Sequence, residues 1–124
     1  MIVLDACVLI AFADPANFFN ADAARILTTA EPLVISALSG AEIMVHPPAD
    51  QQHHWREMLA DFGIDVVPVT RDDMEALAAA RRESGLKMPD AIILWLAETL
   101  GAAVASFDQR LLTAAKDRGM RTVS

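Results

Sequence analysis

The chain has 124 residues, of which 54% are hydrophobic, so we expect one globular domain over residues 1–124 rather than two. Its formal net charge of −7 at pH 7 disfavours the broad basic surface with which most proteins bind nucleic acid, unless cations lie between protein and phosphate. The apolar runs are too short to cross a bilayer, the start lacks the basic segment of a secretory signal, and the single Cys7 excludes an internal disulfide. We therefore expect a cytoplasmic protein with no membrane association.

Short runs rich in valine and isoleucine alternate along the chain with longer runs of helical spacing. The pattern predicts strands at 1–5, 33–36, 65–69, 103–106 and 121–123, and helices at 6–13, 18–30, 37–45, 50–61, 71–84, 90–100 and 109–118. Such alternation predicts an α/β fold, a parallel sheet of four to five strands with helices on both faces. Pro68 has no backbone N–H, so the third strand is expected at an edge of the sheet.

Four acidic residues are predicted to lie at one edge of this sheet. Asp5 ends the first strand, and Glu42 lies in the helix after the second strand. Asp90 opens an almost wholly apolar helix, and Asp108 follows the fourth strand. Parallel strands all point the same way, so strand ends and the helices after them gather at the carboxyl edge, and the helix of Asp90 starts there because it must run back to feed the fourth strand. Open α/β sheets bind ligands at this edge.

Each of these acids also has a purely structural interpretation. Asp5 and Asp108 could cap the helices that follow them, Asp90 could lie in a first helical turn, and Glu42 could complete a capping box with Ser39. However, Asp5 and Asp90 are surrounded by apolar sequence, and partly desolvated carboxylates that converge repel one another unless a cation lies between them. Hard oxygen ligands of this kind suit Mg²⁺ or Mn²⁺.

The segments around these acids resemble the PIN domain family, and within it the VapC-type toxins of bacterial toxin-antitoxin pairs. The matching segments are, in order, IVLDACVLIAF with Asp5, ISALSGAEIMVHP with Glu42, GLKMPDAIILWLAETLGA with Asp90 and AVASFDQRL with Asp108. Each motif is short, but four in this order on a chain of this size are specific. The resemblance implies a PIN-like three-layer sandwich and a metal-dependent endoribonuclease, in which the four acids hold one or two Mg²⁺ or Mn²⁺ ions that activate a water against an RNA phosphodiester.

The resemblance also implies partners and supporting residues. It implies a homodimer and a VapB-like antitoxin that blocks the site. The family usually has Ser or Asn two residues after the first acid, where this chain has Cys7, a weaker hydrogen-bonding group. Ser106 keeps a hydroxyl two residues before the fourth acid and could orient Asp108 or a water, or could simply end a strand. Apart from the resemblance, Lys87 lies three residues before Asp90, and Lys87 and Arg110 could supply positive charge for RNA phosphate beside the acids, although such bases more often form a solvated face.

Other functions fit parts of the sequence. A haloacid-dehalogenase-like phosphotransferase needs a second aspartate at position 7, where Cys7 stands, and a receiver-like module needs an acid after the middle strand, which DVVPVT lacks. A PIN-like domain that only binds protein would keep the fold without the chemistry, but the presence of all four acids favours activity. His46, His53 and His54 contain no i, i+4 pair, so they do not indicate a zinc site.

Overall fold

Five strands form one parallel sheet with the first strand at its centre, in a computed structural model that describes residues 1–45, 47 and 51–124. The strands are β1 (Ile2–Leu4), β2 (Leu33–Ser36), β3 (Asp65–Val67), β4 (Ala103–Ala105) and β5 (Thr122–Val123). Their order across the sheet is β3-β2-β1-β4-β5, and every pairing is parallel. The α/β prediction is therefore confirmed, and strand order reverses at β1, the position where such sheets bind ligands.

The helices occupy nearly the predicted segments. They are α1 (Ala6–Ala13), α2 (Asn20–Leu27), α3 (Ala37–Val45), α4 (Gln52–Asp61), α5 (Met74–Ser84), α6 (Met88–Leu100) and α7 (Gln109–Asp117). A 3₁₀ turn, Arg71–Asp73, replaces the first turn predicted for α5, and residue 50, the predicted start of α4, lies outside the described residues. Among the described residues, no helix is both long and apolar enough to span a membrane.

Helix α2 ends at Leu27 rather than at residue 30, and two helix starts differ from the prediction for local reasons. The start predicted at residue 18 is instead a turn, because the Asn17 side chain accepts a hydrogen bond from the Phe19 N–H at 2.8 Å, and α2 begins at Asn20. Helix α6 begins at residue 88 rather than 90, since Lys87 has extended backbone and serves as the N-cap residue. Asp90 is therefore the third residue of its helix rather than the first.

Alternate residues of the central strands pack against opposite helical layers. Ile2, Leu4 and Ile35 contact the layer of α1 to α4, whereas Val3 and Val104 contact α6 and α7. The centre of the sheet is thus covered on both faces, which is why β1, β2 and β4 are almost continuously apolar. Strand β3 lies at one edge and ends at Val67, directly before Pro68, so the prediction of an edge strand is confirmed.

Candidate active site

A cavity of about 480 Å³ opens at the carboxyl edge of the sheet, beside the end of the central strand β1. All four predicted acids, Asp5, Glu42, Asp90 and Asp108, line it. The remaining lining residues are small, apolar or aromatic, with one thiol and one amide: Ala6, Cys7, Ile10, Ala11, Asn17, Phe19 and Phe107. The structure therefore brings the four acids together, and their role as metal ligands stays a prediction.

Asp5 is the most enclosed of the four acids, with only 9% of its surface exposed. It directly follows β1, and its backbone N–H continues the sheet by donating to the Ala105 carbonyl at 2.9 Å. Asp5 stands at the N-cap position of α1, yet its side chain makes no capping hydrogen bond. Its Oδ2 instead accepts hydrogen bonds from Ser106 Oγ at 2.6 Å and from Cys7 Sγ at 3.2 Å. The capping interpretation is thus wrong for this residue.

Ser106 connects the first acid to the fourth. It is completely buried; its hydroxyl donates to Asp5 Oδ2 and accepts a hydrogen bond from the Asp108 backbone N–H at 3.0 Å. A hydroxyl-to-carboxylate distance of 2.6 Å is typical of a strong, charge-assisted hydrogen bond. Ser106 therefore orients the Asp5 carboxylate and the backbone of Asp108, rather than the Asp108 carboxylate.

Cys7 supplies the second hydrogen bond to Asp5. Its sulfur also accepts from the Phe107 backbone N–H at 3.5 Å and lies 3.6 Å from Ser106 Oγ. Burial, followed by the negative charge of Asp5, raises the pKa of this thiol to about 12, so it stays protonated and remains a donor near neutral pH. Cys7 therefore forms a hydrogen bond with Asp5, although a thiol is a weaker donor than the Ser or Asn that the family usually has at this position.

Glu42 reaches the cavity from the second turn of α3. The helix begins at Ala37, and the Ser36 hydroxyl accepts a hydrogen bond from the Ser39 N–H at 3.0 Å, so Ser36 and not Ser39 caps it. The proposed capping box between Ser39 and Glu42 is therefore wrong. Burial, then the charges of Asp5 and Asp90, raises the pKa of the Glu42 carboxyl.

Asp90 lies in the first turn of α6, between the other acids and two bases. Burial, followed by the charges of Asp5 and Asp108, raises the pKa of its carboxyl, and the charges of Lys87 and Arg110 partly offset that rise. Both bases are exposed. The predicted supporting bases are therefore close enough to Asp90 to act on its charge.

Asp108 does cap its helix, as one interpretation predicted. Its Oδ1 accepts hydrogen bonds from the backbone N–H groups of Arg110 at 2.8 Å and Leu111 at 3.4 Å. Its Oδ2 accepts no hydrogen bond from the described residues. The same carboxylate thus stabilises α7 through one oxygen and has the other available at the cavity.

The donor set fits a hard divalent cation. Four carboxylates share one cavity, and for two of them the charges of their neighbours raise the pKa, which is the repulsion that a cation would relieve. Within the described ranges, however, no three acidic, histidine or cysteine side chains form a ready-made metal site. The acids therefore line a common space without closing around a single point.

The sequence motifs did not predict the second wall of the cavity, which is aromatic rather than acidic. Phe19 and Phe107 line it together with Asn17, and none of the three was singled out. Phe107 directly precedes Asp108, which was the one available signal. His53 and His54 lie on α4 and do not line this cavity, and His46 lies outside the described residues.

With this geometry, comparison with known proteins identifies the class. Residues 2–117 match the model of the PIN domain family, and the chain belongs to that family. PIN domains are in general metal-dependent nucleases. The resemblance of the four acidic motifs to the PIN domain family is thereby confirmed. A search of curated protein sequences found no match to the chain.

Several solved structures share the fold. A chain of a toxin-antitoxin complex from Klebsiella pneumoniae is 25% identical, with 87% of each chain covered and a TM-score of 0.70. FitAcB from Neisseria gonorrhoeae is 19% identical, with 100% of this chain and 97% of that chain covered and a TM-score of 0.72. FitAB bound to an IR36 DNA fragment is 18% identical, with 98% and 93% covered and a TM-score of 0.74. The last two show likeness of fold alone.

Proposed function

We propose that the protein is a metal-dependent endoribonuclease that acts in the cytoplasm as the toxin of a toxin-antitoxin pair. The observation that carries the proposal is the arrangement of Asp5, Glu42, Asp90 and Asp108 around one cavity at the carboxyl edge of the sheet. Membership of the PIN domain family and 25% identity to a chain of a toxin-antitoxin complex support it.

In this proposal the four carboxylates hold one or two Mg²⁺ or Mn²⁺ ions. Such ions supply positive charge that stabilises a phosphodiester under attack, and they make water acidic enough to act near neutral pH. The chain's own residues set the position of the ligands. Ser106 and Cys7 orient Asp5, and the capping hydrogen bonds to Oδ1 fix the carboxylate plane of Asp108.

Lys87 and Arg110 provide the phosphate contacts of the proposed enzyme. Both are exposed, both act on the charge of Asp90, and neither forms an ion pair with another described residue. Since the chain as a whole is acidic, the RNA backbone would be attracted only locally, by these bases and the bound cations.

The proposal includes a VapB-like antitoxin and a homodimer as partners. A related chain has been solved in a toxin-antitoxin complex, which supports the first. Val45 and Met74 are 78% and 64% exposed, respectively, so the surface carries large apolar side chains that a protein interface would cover.

A second candidate is a PIN-like module that binds protein without catalysis. It is favoured by one observation, that the acids do not form a ready-made metal site among the described residues. Such a module would keep the binding surface without catalytic activity, and the acids would serve only to attract a basic segment of the partner protein.

Cleavage of end-labelled single-stranded RNA distinguishes these candidates. We expect cutting in Mg²⁺ or Mn²⁺, none in EDTA, and a loss of about a thousandfold or more in Asp90→Asn, since one charged ligand is removed while the side-chain volume is kept. Glu31→Gln is the matched control: Glu31 lies just before β2, at the opposite edge of the sheet, where it pairs with the Met1 ammonium, and this variant should cut normally. Equal cutting by wild type and Asp90→Asn would exclude this site, and no cutting of any RNA would favour the binding module.

A further inference from the structure

Three phenylalanines form an aromatic wall beside the acids. The rings of Phe19 and Phe107 are stacked almost parallel, with centroids 4.4 Å apart and an interplanar angle of 6°. Phe18 packs edge-on against Phe19 at 5.0 Å and is 89% exposed. Phe19 and Phe107 line the same cavity as the four acids, so this aromatic wall (Phe18, Phe19 and Phe107) continues the proposed active site.

The wall is joined rigidly to the acids through Phe107. This residue lies between Ser106, which bonds Asp5, and Asp108, which lines the cavity. Its backbone N–H donates to Cys7 Sγ at 3.5 Å, so the backbone that carries the ring is tied to the same network that orients Asp5. The distance from ring to carboxylates is therefore set by the fold.

The loop that carries the other two rings is also held in place. Asp14 Oδ1 accepts from the Ala16 N–H at 3.0 Å, and Asn17 Oδ1 accepts from the Phe19 N–H at 2.8 Å. Asn20 Nδ2 donates to the carbonyl groups of Ala11 at 2.9 Å and Phe12 at 3.0 Å, which ties the loop to the end of α1. A wall held in this way would lose little entropy when a ligand binds.

Asn17 adds a polar group next to the rings. The Phe19 N–H fixes the orientation of its amide by bonding Oδ1, and Nδ2 finds no partner within the part of the chain that the structure describes. Asn17 lines the cavity, so its amide is an available donor beside a flat apolar surface. A planar aromatic ligand with acceptors on its edge would match both features.

We propose that the aromatic wall is a stacking subsite for one unpaired nucleobase of the RNA, close to the phosphate that is cut; this rests on the proposed function. The base is the flat, uncharged part of a nucleotide, so it can enter a cavity lined by carboxylates without charge repulsion. Phe19 and Phe107 cover one face of each other, so the base would stack on the outer side of the pair, and Asn17 would donate to an acceptor on its edge. A duplex keeps its bases stacked inside, so the substrate is single-stranded RNA or a loop.

Abasic scanning tests the subsite without relying on cleavage. A short single-stranded RNA is prepared with one base removed at each position in turn, and its affinity is measured for Asp90→Asn protein in Mn²⁺. We expect one abasic position to weaken binding about tenfold, since stacking on an aromatic ring is worth roughly that much. In protein that also carries Phe19→Leu, removal of that base should cost no further affinity, because the stacked pair of rings that it packs on is already broken.

Two further variants control this experiment. Phe62→Leu removes a ring that packs edge-on against Phe12 at 5.1 Å, in the same apolar layer but outside the cavity, and should leave the abasic effect intact. Phe18→Ala truncates an exposed side chain, so it should fold normally and weaken binding less than Phe19→Leu. Melting temperatures of all variants show whether each is folded.

The outcomes separate the subsite from the proposed function. If wild type cuts RNA but the abasic effect is the same with and without Phe19, the subsite is wrong and the nuclease stands. If Phe18→Ala changes the oligomeric state in light scattering and leaves RNA affinity unchanged, the wall is an interface between copies, and the stacking subsite is wrong. If no RNA is bound or cut, both proposals fail.

Discussion

Carboxylates at the two edges of the sheet have opposite electrostatic surroundings. At the carboxyl edge, Asp5, Glu42, Asp90 and Asp108 face one cavity, and burial with mutual repulsion raises the pKa of Glu42 and Asp90. At the amino edge, Glu31 precedes β2 and forms ion pairs with the Met1 ammonium at 3.1 Å and with the Arg121 guanidinium. Hydrogen bonds from these two cations lower the pKa of Glu31.

The difference shows where the chain balances its own charge and where it does not. At the amino edge, the protein's own Met1 ammonium and Arg121 guanidinium neutralise the charge of Glu31. The carboxyl edge keeps four acids with only the partial compensation of Lys87 and Arg110. An uncompensated acidic cluster costs stability, and natural proteins retain such costs at functional sites. The predictions below test whether that cost is relieved by a cation.

The largest expected effect on stability is the stabilisation of the folded protein by Mn²⁺. At a concentration one hundred times its Kd, an ion that binds only the folded state stabilises it by about 2.7 kcal/mol, which thermal melting would detect as a higher Tm. Glu42→Gln should reduce this gain, and Glu31→Gln should leave it unchanged, because only Glu42 lies at the cavity. No shift at millimolar Mn²⁺, or equal loss in both variants, would contradict the difference between the edges.

The next effect concerns the groups that hold Asp5. Ser106→Ala removes the 2.6 Å hydrogen bond to Oδ2, and we expect Mn²⁺ affinity, measured by calorimetry, to fall about 10- to 100-fold. Cys7→Ser keeps a donor and should bind Mn²⁺ at least as well as wild type, whereas Cys7→Ala should bind more weakly.

Ser84→Ala is the control for these variants. Its hydroxyl accepts from the Leu86 N–H at 3.2 Å and does not line the cavity, so its loss should not change Mn²⁺ affinity. Unchanged affinity in Ser106→Ala would mean that Asp5 needs no such support.

The smallest effect is on the pH dependence of metal-free protein. The folded-state pKa of Glu42 is raised above its usual value of 4.5. At low pH the group is protonated in both states and does not affect the free energy of unfolding; as the pH rises from 4.5 through the raised pKa, its charge lowers that free energy. Glu42→Gln should therefore stabilise the protein near neutral pH, by on the order of 0.5 kcal/mol after solvent screening, and have no effect well below pH 4.5.

Glu31 should show the opposite sign. Its folded-state pKa is lowered below 4.5, so its ion pairs contribute stability above that value and lose it as the pH falls through the lowered pKa. Glu31→Gln should lower the Tm near neutral pH and cease to matter in acid. Urea titrations of wild type and both variants between pH 3 and 7 measure how each substitution changes the free energy of unfolding with pH. If the two changes had the same sign near neutral pH, the proposed difference between Glu42 and Glu31 would be wrong.

Much of the fold followed from local patterns. Alternating apolar runs located all five strands, and helical spacing located α1, α3 and α7 within a residue or two. The helix starts that were missed depend on the conformation of a single residue. The Asn17 turn delays α2, and extended backbone at Lys87 starts α6 early. Such ends are decided by a hydrogen bond or a cap, which hydrophobic periodicity does not report.

The sequence by itself determined which carboxylates would lie at one edge, because the direction of parallel strands places every strand end and following helix start on the same side. Only the tertiary structure decided how they are held. Asp5 bonds Ser106 across 101 residues because β1 pairs with β4, and Phe19, which directly precedes α2, stacks on Phe107, which follows β4. Strand order is set by the packing of all the layers together, so contacts made across neighbouring strands are not written in any local stretch of the chain.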